Sequence, residues 1–222
     1  MRMLSLFIVV ILSYLAGSIP TAIIVGKIVM KDDIRKHGSG NAGATNVFRV
    51  MGWKAALFVV LVDIGKGTLA TLLISRIGEE VVPLDHTMVQ IVAGLAAIVG
   101  HIWTVFAGFR GGKGVGTAFG VLVALAPVAS LVTLGVWLLL VITIRIVSVG
   151  SLAAGIVFPA VLFIQRFVLG SRIPDALLIM SVLLGVLVFI THRSNIRRLM
   201  RGEENRFGSG KKKPQKTTQS HG

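Results

Sequence analysis

The sequence predicts an all-α, polytopic integral membrane protein with seven transmembrane helices, its N-terminus outside and its C-terminus cytoplasmic. Three observations lead there. Of 222 residues, 54% are hydrophobic and 14% charged, with a mean hydropathy of +0.86, far from the composition of a soluble domain. The apolar residues fall in runs close to the ~20 residues that a helix needs to cross a bilayer. The net charge of +14 gathers in three short segments, the pattern expected when Lys and Arg hold loops on the cytoplasmic side.

The first run, residues 3–30, contains Ala16-Gly17-Ser18, which resembles a signal-peptide cleavage site. Apolar character continues past it through Pro20 and Gly26 to Lys27, so the run reads as a retained first helix. Helices over 55–75 and 87–107 follow. The run 115–144 is long enough for one tilted helix or for two short ones broken near Pro127, and charge decides between them. Residues 27–54 hold six basic and two acidic side chains, residues 109–116 add Arg110 and Lys113, and residues 192–222 hold nine basic against two acidic. The loop 76–86 carries Glu79, Glu80 and Asp85 against Arg76, which puts it on the opposite face. For the three basic segments to share one side, 115–144 must leave and return. Helices over 146–165 and 174–191 complete the seven. Residues 1–206 then form a single transmembrane domain. Residues 207–222, with Lys211-Lys212-Lys213-Pro214 among Gly, Ser, Thr and Gln, form a disordered basic cytoplasmic tail able to lie against anionic headgroups.

With so much of the chain in the bilayer, function has to reside in helices and short loops. Zero cysteines exclude disulfides, thiolate nucleophiles and thiolate metal sites. Orientation accounts for the positive charge, which lacks aromatic interleaving, so no nucleic-acid partner is expected. None of the five histidines begins His-x-x-x-x-Asp, and neither Gly-x-Ser-x-Gly nor His-Glu-x-x-His occurs. Common acyltransferase, serine-hydrolase and zinc-protease arrangements are therefore unsupported.

Three polar clusters carry the chemistry. Gly111-Gly112-Lys113-Gly114 fails as a nucleotide P-loop, because Gly108 stands one residue too close, Gly114 replaces the hydroxyl, and an apolar helix precedes it. Its physics still suits phosphate, through close backbone amides, a following helix N-terminus and the Lys113 charge. In the second cluster Gly38, Gly40 and Gly43 permit tight turns around Ser39, Asn41, Thr45 and Asn46, and Arg49 offers a bidentate fork. In the third, His192 and Asn195 share a helix face just past the last span, with Arg193, Arg197 and Arg198 nearby. Asp63 and Lys66, three residues apart, can pair inside the second span, as a structural ion pair or a substrate contact. His101, near the end of the third, is placed to brace the glycine–lysine loop. Phosphorylated substrates at a membrane surface fit all of this, for a membrane enzyme or for a transporter of a phosphorylated small molecule.

Along most of its length the chain resembles the bacterial acyl-phosphate-dependent glycerol-3-phosphate acyltransferases, the PlsY family. The resemblance runs through Gly17-Ser18-Ile19-Pro20, Gly38-Ser39-Gly40-Asn41, Thr45-Asn46, Arg49, Asp63 with Lys66-Gly67, Gly100-His101, Gly111-Gly112-Lys113-Gly114 and His192-Arg193-Ser194-Asn195-Ile196. Ala42 stands where the family commonly has proline, and Trp103-Thr104 replaces a segment that usually includes one; neither removes a polar group. The resemblance implies a seven-helix enzyme of the bacterial inner membrane, with its active site on the cytoplasmic side. It would move a fatty acyl group from acyl phosphate to the 1-hydroxyl of sn-glycerol 3-phosphate, giving lysophosphatidic acid and phosphate. No coenzyme A, metal or other cofactor would be required. Its partners would be the two substrates, membrane lipids and, transiently, the soluble enzyme that makes acyl phosphate. The expected catalytic set is Ser39, Arg49, Lys113, His192 and Asn195. The expected substrate-binding set is Gly38, Gly40, Asn41, Thr45, Asn46, His101, Gly111, Gly112, Gly114, Arg193 and Glu204.

Overall fold

Backbone groups in a bilayer have no water to bond, so apolar runs must satisfy their own N–H and C=O groups, and helices do this within one segment. The computed structural model describes residues 2–79 and 85–207, and helices are the only regular elements among them. The first run forms α1 (Arg2–Ser18) and α2 (Thr21–Met30), separated at Ile19-Pro20. Proline lacks the N–H that would carry the ladder through. Beyond the first polar loop come α3 (Ala44–Met51) and α4 (Trp53–Leu69), the latter passing through a π turn at Ala70–Ile74 into α5 (Arg76–Glu79). Thr71 Oγ1 donates to Gly67 O at 3.0 Å and Ser75 Oγ to Thr71 O at 2.7 Å, back-bonding of the kind that bends a helix.

The third run is α6 (His86–Ile102), followed by a 3₁₀ turn at Val105–Ala107. The long run divides into α7 (Val115–Leu125) and α8 (Pro127–Ile144), with Ala126 extended between them, so the break at Pro127 is real. α9 (Val147–Phe167), α10 (Asp175–Thr191) and α11 (Arg193–Met200) complete the fold, with a 59° bend between the last two. Among the described residues five spans are long and apolar enough to cross a membrane, and a sixth if α10 and α11 are taken together. The 11 residues of α7 extend about 16 Å, half of a ~30 Å hydrocarbon core.

Helices in lipid attract one another mainly by close packing, which small residues allow. A Cβ on Gly17 would overlap the Ala97 carbonyl, and one on Gly100 the Tyr14 carbonyl, so α1 and α6 touch backbone to backbone. Tyr14 Oη also donates to Trp103 O at 2.7 Å. α4 meets α7 in the same way, Gly67 against Thr117 O and Gly120 against Ile64 O. α9 meets α10 where Gly185 faces the Gly155 carbonyl. The ion pair anticipated in the second span exists, with Lys66 Nζ 2.8 Å from Asp63 Oδ1. Lys66 also donates to Ile19 O at 3.0 Å and Thr21 Oγ1 to Asp63 Oδ1 at 3.4 Å. The pair thus supplies polar partners where Pro20 interrupts the first run. Phe207, assigned above to the tail, belongs to the fold: its N–H donates to Arg145 O at 2.8 Å and its ring meets Phe48 edge-on at 4.8 Å. Residues 208–222 and the acidic Glu80 lie outside the described residues.

Two glycines of α4 give opposite expectations. Nothing lies within 4 Å of a Cβ built on Gly65, whereas one on Gly67 strikes the Thr117 carbonyl. Gly65→Ala should hold or raise the thermal midpoint in detergent, because alanine stabilises a helix interior by ~0.5–1 kcal/mol over glycine. Gly67→Ala should lower it, because overpacking costs about 1–3 kcal/mol of stability.

Candidate active site

Three loops converge at one end of the bundle, and each is held by bonds that its own sequence supplies. In the first, Asp33 caps the 3₁₀ turn Ile34–Lys36 by accepting from Arg35 N–H at 2.9 Å. Asp32 takes Lys36 at 2.8 Å and His37 at 2.9 Å, and these two partners hold its carboxyl well below the usual range. Asn46, 1% exposed, organises the rest. Its Oδ1 accepts from Ser39 N–H at 2.7 Å, and its Nδ2 donates to His37 O at 2.9 Å and Ile34 O at 3.2 Å. Gly38, at φ 60°, leaves room for that amide, since a Cβ there would overlap Asn46 Oδ1. The loop so folded turns Ser39, Asn41 and Thr45 toward a cavity.

The glycine–lysine loop works differently from its sequence expectation. Gly112 N–H donates to His101 O at 3.1 Å and Gly111 N–H to Ile102 O at 3.0 Å, so both amides cap the carbonyls that end α6. Side chains at either position would strike His101. These glycines are needed for close packing, and their N–H groups are already bonded. Gly114, at φ 80°, then turns the chain into α7, whose first residues Val115 and Gly116 line the cavity. Arg35 joins the two loops, donating to Ala107 O at 2.9 Å and Arg110 O at 3.1 Å while Asp33 holds its other edge. His101 Nδ1 lies 3.5 Å from Asp63 Oδ1, bringing α4 toward the base of the same loop.

The third segment closes the constellation. Lys113 Nζ donates to Asn195 Oδ1. Asn195 Nδ2 donates to Glu204 Oε1 at 2.8 Å, and Arg198 Nε to Glu204 Oε2 at 2.7 Å. His192, 3% exposed, directs Nδ1 at Val188 O at 2.8 Å. A carbonyl only accepts, so Nδ1 carries the proton and Nε2 keeps its lone pair. Burial pushes the Lys113 ammonium down to about 8, against the pull of Glu204 and with repulsion from Arg198 and Arg49. Burial likewise lowers Arg49.

These groups surround the head of a cavity of about 670 Å³. Its depth between α4, α7, α8, α9 and α10 is largely apolar, with Leu57, Phe119, Leu122, Leu134, Phe158 and Leu184 on its walls. Lys113, Arg49 and Arg198 face it with Glu204 as their common counter-charge, a net excess of positive charge suited to a phosphate above an apolar chain.

The five expected catalytic residues, Ser39, Arg49, Lys113, His192 and Asn195, all line this cavity, as do Gly40, Asn41, Thr45, Asn46, His101, Gly114 and Glu204. Gly38, Gly111, Gly112 and Arg193 do not. The three glycines shape the loops from behind, and Arg193 is exposed one residue off the His192 face. Asn46 lines the cavity with its amide already bonded within the loop. Arg198, part of the third cluster but given no role from sequence, lies three residues after Asn195 on one helix face, a spacing that could have identified it. Ser148 and Ser151 also line the cavity, and nothing in an apolar helix distinguishes them by sequence.

The family model for glycerol-3-phosphate acyltransferase matches residues 7–202. The glycerol-3-phosphate acyltransferase of Chlorobaculum tepidum is 44% identical over 95% of this chain and 100% of that one. That of Chlorobium chlorochromatii is 42% identical over 94% and 100%. Among solved structures, PlsY (YgiH), described as an integral membrane glycerol 3-phosphate acyltransferase, superposes in its glycerol 3-phosphate form with a TM-score of 0.81. It is 38% identical, over 92% of this chain and 96% of that one. Its lysophosphatidic acid form gives 0.78 at the same identity and coverage. The chain therefore belongs to the glycerol-3-phosphate acyltransferase family.

Proposed function

We propose that this protein transfers a fatty acyl group from acyl phosphate to the 1-hydroxyl of glycerol 3-phosphate, releasing lysophosphatidic acid and inorganic phosphate. The observation that carries this reading is the cationic head of the cavity above an apolar depth. Such a shape accepts a phosphate and an alkyl chain in one molecule, with room for a second phosphate among Lys113, Arg49 and Arg198. A transporter of phosphorylated molecules would need polar groups continuing across the bilayer, whereas this cavity is mostly apolar beyond its head.

An acyl phosphate is already activated, so catalysis reduces to charge neutralisation and alignment. Arg49 and Lys113 hold phosphate charge. Ser39, Asn41, Thr45 and the first turn of α7 donate hydrogen bonds to phosphate oxygens. Asn195 and His192 orient the attacking hydroxyl. The hydroxyl oxygen bonds the acyl carbon, the bond from that carbon to the phosphate oxygen breaks, and phosphate leaves with the electron pair. Glu204 is engaged by Asn195 and Arg198, and Asp63 by Lys66, so neither is a free base. The departing phosphate takes the hydroxyl proton, and the balance is ester plus hydrogen phosphate. The enzyme sits in the inner membrane with its site on the cytoplasmic side and seven membrane helices, the short α7 entering the bilayer and α8 returning to the same side. There a soluble enzyme could deliver acyl phosphate to the basic loops.

Purified protein given palmitoyl phosphate and labelled glycerol 3-phosphate should release lysophosphatidic acid and phosphate in equal amounts, and palmitoyl-CoA should give neither. Product from the thioester alone would overturn the donor assignment. Lys113→Ala and Arg49→Ala should each lower kcat/KM by about 10- to 100-fold, the worth of one lost hydrogen bond to a charged group; full activity in both would remove them from the site.

The Lys113 ammonium is charged below about pH 8 and neutral above it, so kcat/KM should fall roughly tenfold per unit on the alkaline side. Lys113→Arg, charged throughout, should abolish that limb whatever its absolute rate.

A further inference from the structure

Two serines of α9 face the cavity with different bonding. Ser151 Oγ donates to Val147 O at 3.1 Å and accepts the Trp137 indole N–H at 3.5 Å. Ser148 is 4% exposed and its Oγ has no hydrogen-bond partner. Among the described residues it is the one such hydroxyl that lines the cavity. The cause is local. Ser130, Thr133 and Ser151 each donate to the carbonyl four residues earlier, but Ser148 lies in the first turn of α9, and four residues earlier is Ile144, the last residue of α8. No helical carbonyl is in line with it.

Its height in the bundle follows from register. α9 and α10 are joined by a short loop and run antiparallel, with Gly155 facing Gly185 and Arg166 bonding Ile173 O. Ser148 lies seven residues before Gly155, and His192 seven after Gly185, each about two turns or roughly 10 Å along its helix. The two therefore stand at one level on adjoining walls of the cavity, where the cationic head gives way to the apolar depth. A bound acyl phosphate, with its phosphate on the cations and its chain in the depth, carries its carbonyl at that level.

We infer that Ser148 is a catalytic residue whose hydroxyl donates to the acyl carbonyl oxygen of the donor substrate. The inference rests on the reaction proposed above. When the glycerol hydroxyl attacks, the carbonyl π pair moves onto that oxygen, and a neutral donor held in a water-poor site stabilises the developing charge. The pair returns as the bond to phosphate breaks. The N-terminus of α9, where no side chain caps the first turn, adds positive potential at the same oxygen. A buried hydroxyl without a partner in the free protein is explained by a partner that arrives with the substrate.

The test begins with wild-type turnover of palmitoyl phosphate, whose absence would sink the reaction itself. Given turnover, Ser148→Ala should lower kcat on the order of 10²-fold, the scale of one lost oxyanion donor, with the KM for glycerol 3-phosphate little changed. Ser148→Thr, which keeps the hydroxyl, should retain most activity. Two inhibitors then isolate the carbonyl. Palmitoyl phosphonate, which has one, should bind the Ala variant about 10-fold more weakly, the worth of one net hydrogen bond. Hexadecyl phosphate, which lacks one, should bind wild type and variant alike. This ratio compares two ligands on one folded protein and holds whatever the variant's stability. Unchanged kcat in Ser148→Ala, or equal weakening of both inhibitors, would overturn the assignment.

Discussion

Glu204 decides where the cations at the head of the cavity point. One oxygen takes the Arg198 guanidinium and the other the Asn195 amide, whose own oxygen receives Lys113. The Lys113–Asn195 bond joins segments some 80 residues apart, and the carboxylate holds Asn195 in place to receive it. The arrangement also sets the charge. Crowding three partly buried cations without any counter-ion would disfavour the fold, and neutralising all of them would leave nothing for an anion to bind. One carboxylate among Lys113, Arg49 and Arg198 keeps the group foldable and still short of negative charge. The depression of Lys113 records that shortage, since its desolvation outweighs the help from Glu204.

Behind this head, the shape of the cavity comes from backbone contacts. Glycine at the crossings of α1 with α6, α4 with α7 and α9 with α10 brings these helices together without intervening side chains. Where they diverge from those contacts, space opens that apolar side chains line. The Gly155–Gly185 crossing also fixes the register of α9 against α10, and so the level that His192 and Ser148 share on the cavity wall. Helix packing and site geometry are one constraint here: a side chain added at the crossing would move the walls of the cavity as well as weaken the pair.

Much of this was legible in the sequence because bilayer physics writes in long runs. Apolar stretches, Pro127 as a break and the grouping of Lys and Arg all act over many residues and need no tertiary knowledge. The polar clusters were legible too, since Ser, Asn, Arg, Lys and His are rare in such a chain. What each residue does within its cluster was less so. Gly111 and Gly112 suggested amides open to phosphate, but the carbonyls ending α6 claim them, and only the path of the chain after Ile102 reveals it. Asn46 looked like a substrate ligand and is the organiser of its own loop. The break at Ile19-Pro20 was carried by one proline, which also occurs within continuous helices, as Pro159 does in α9.

Ser148 illustrates why the remainder was hidden. Within a helix a serine hydroxyl normally bonds its own backbone and is silent, so its identity alone says nothing. What sets Ser148 apart is position, one residue past the start of a helix and level with His192 on a neighbour. Both facts belong to the fold. The same logic covers the excess positive charge at the head of the cavity: each feature leaves the free protein with an unmet polar demand, which a substrate carrying a phosphate and a carbonyl would meet at once. Binding to the native state alone stabilises it by mass action. A site incomplete in this way gains most from the molecule that supplies every missing partner, and less from one lacking either the phosphate or the carbonyl. Selectivity for an acyl phosphate over an alkyl phosphate or a free fatty acid would then arise from polar demands left open by the fold, with the apolar depth contributing affinity to all three.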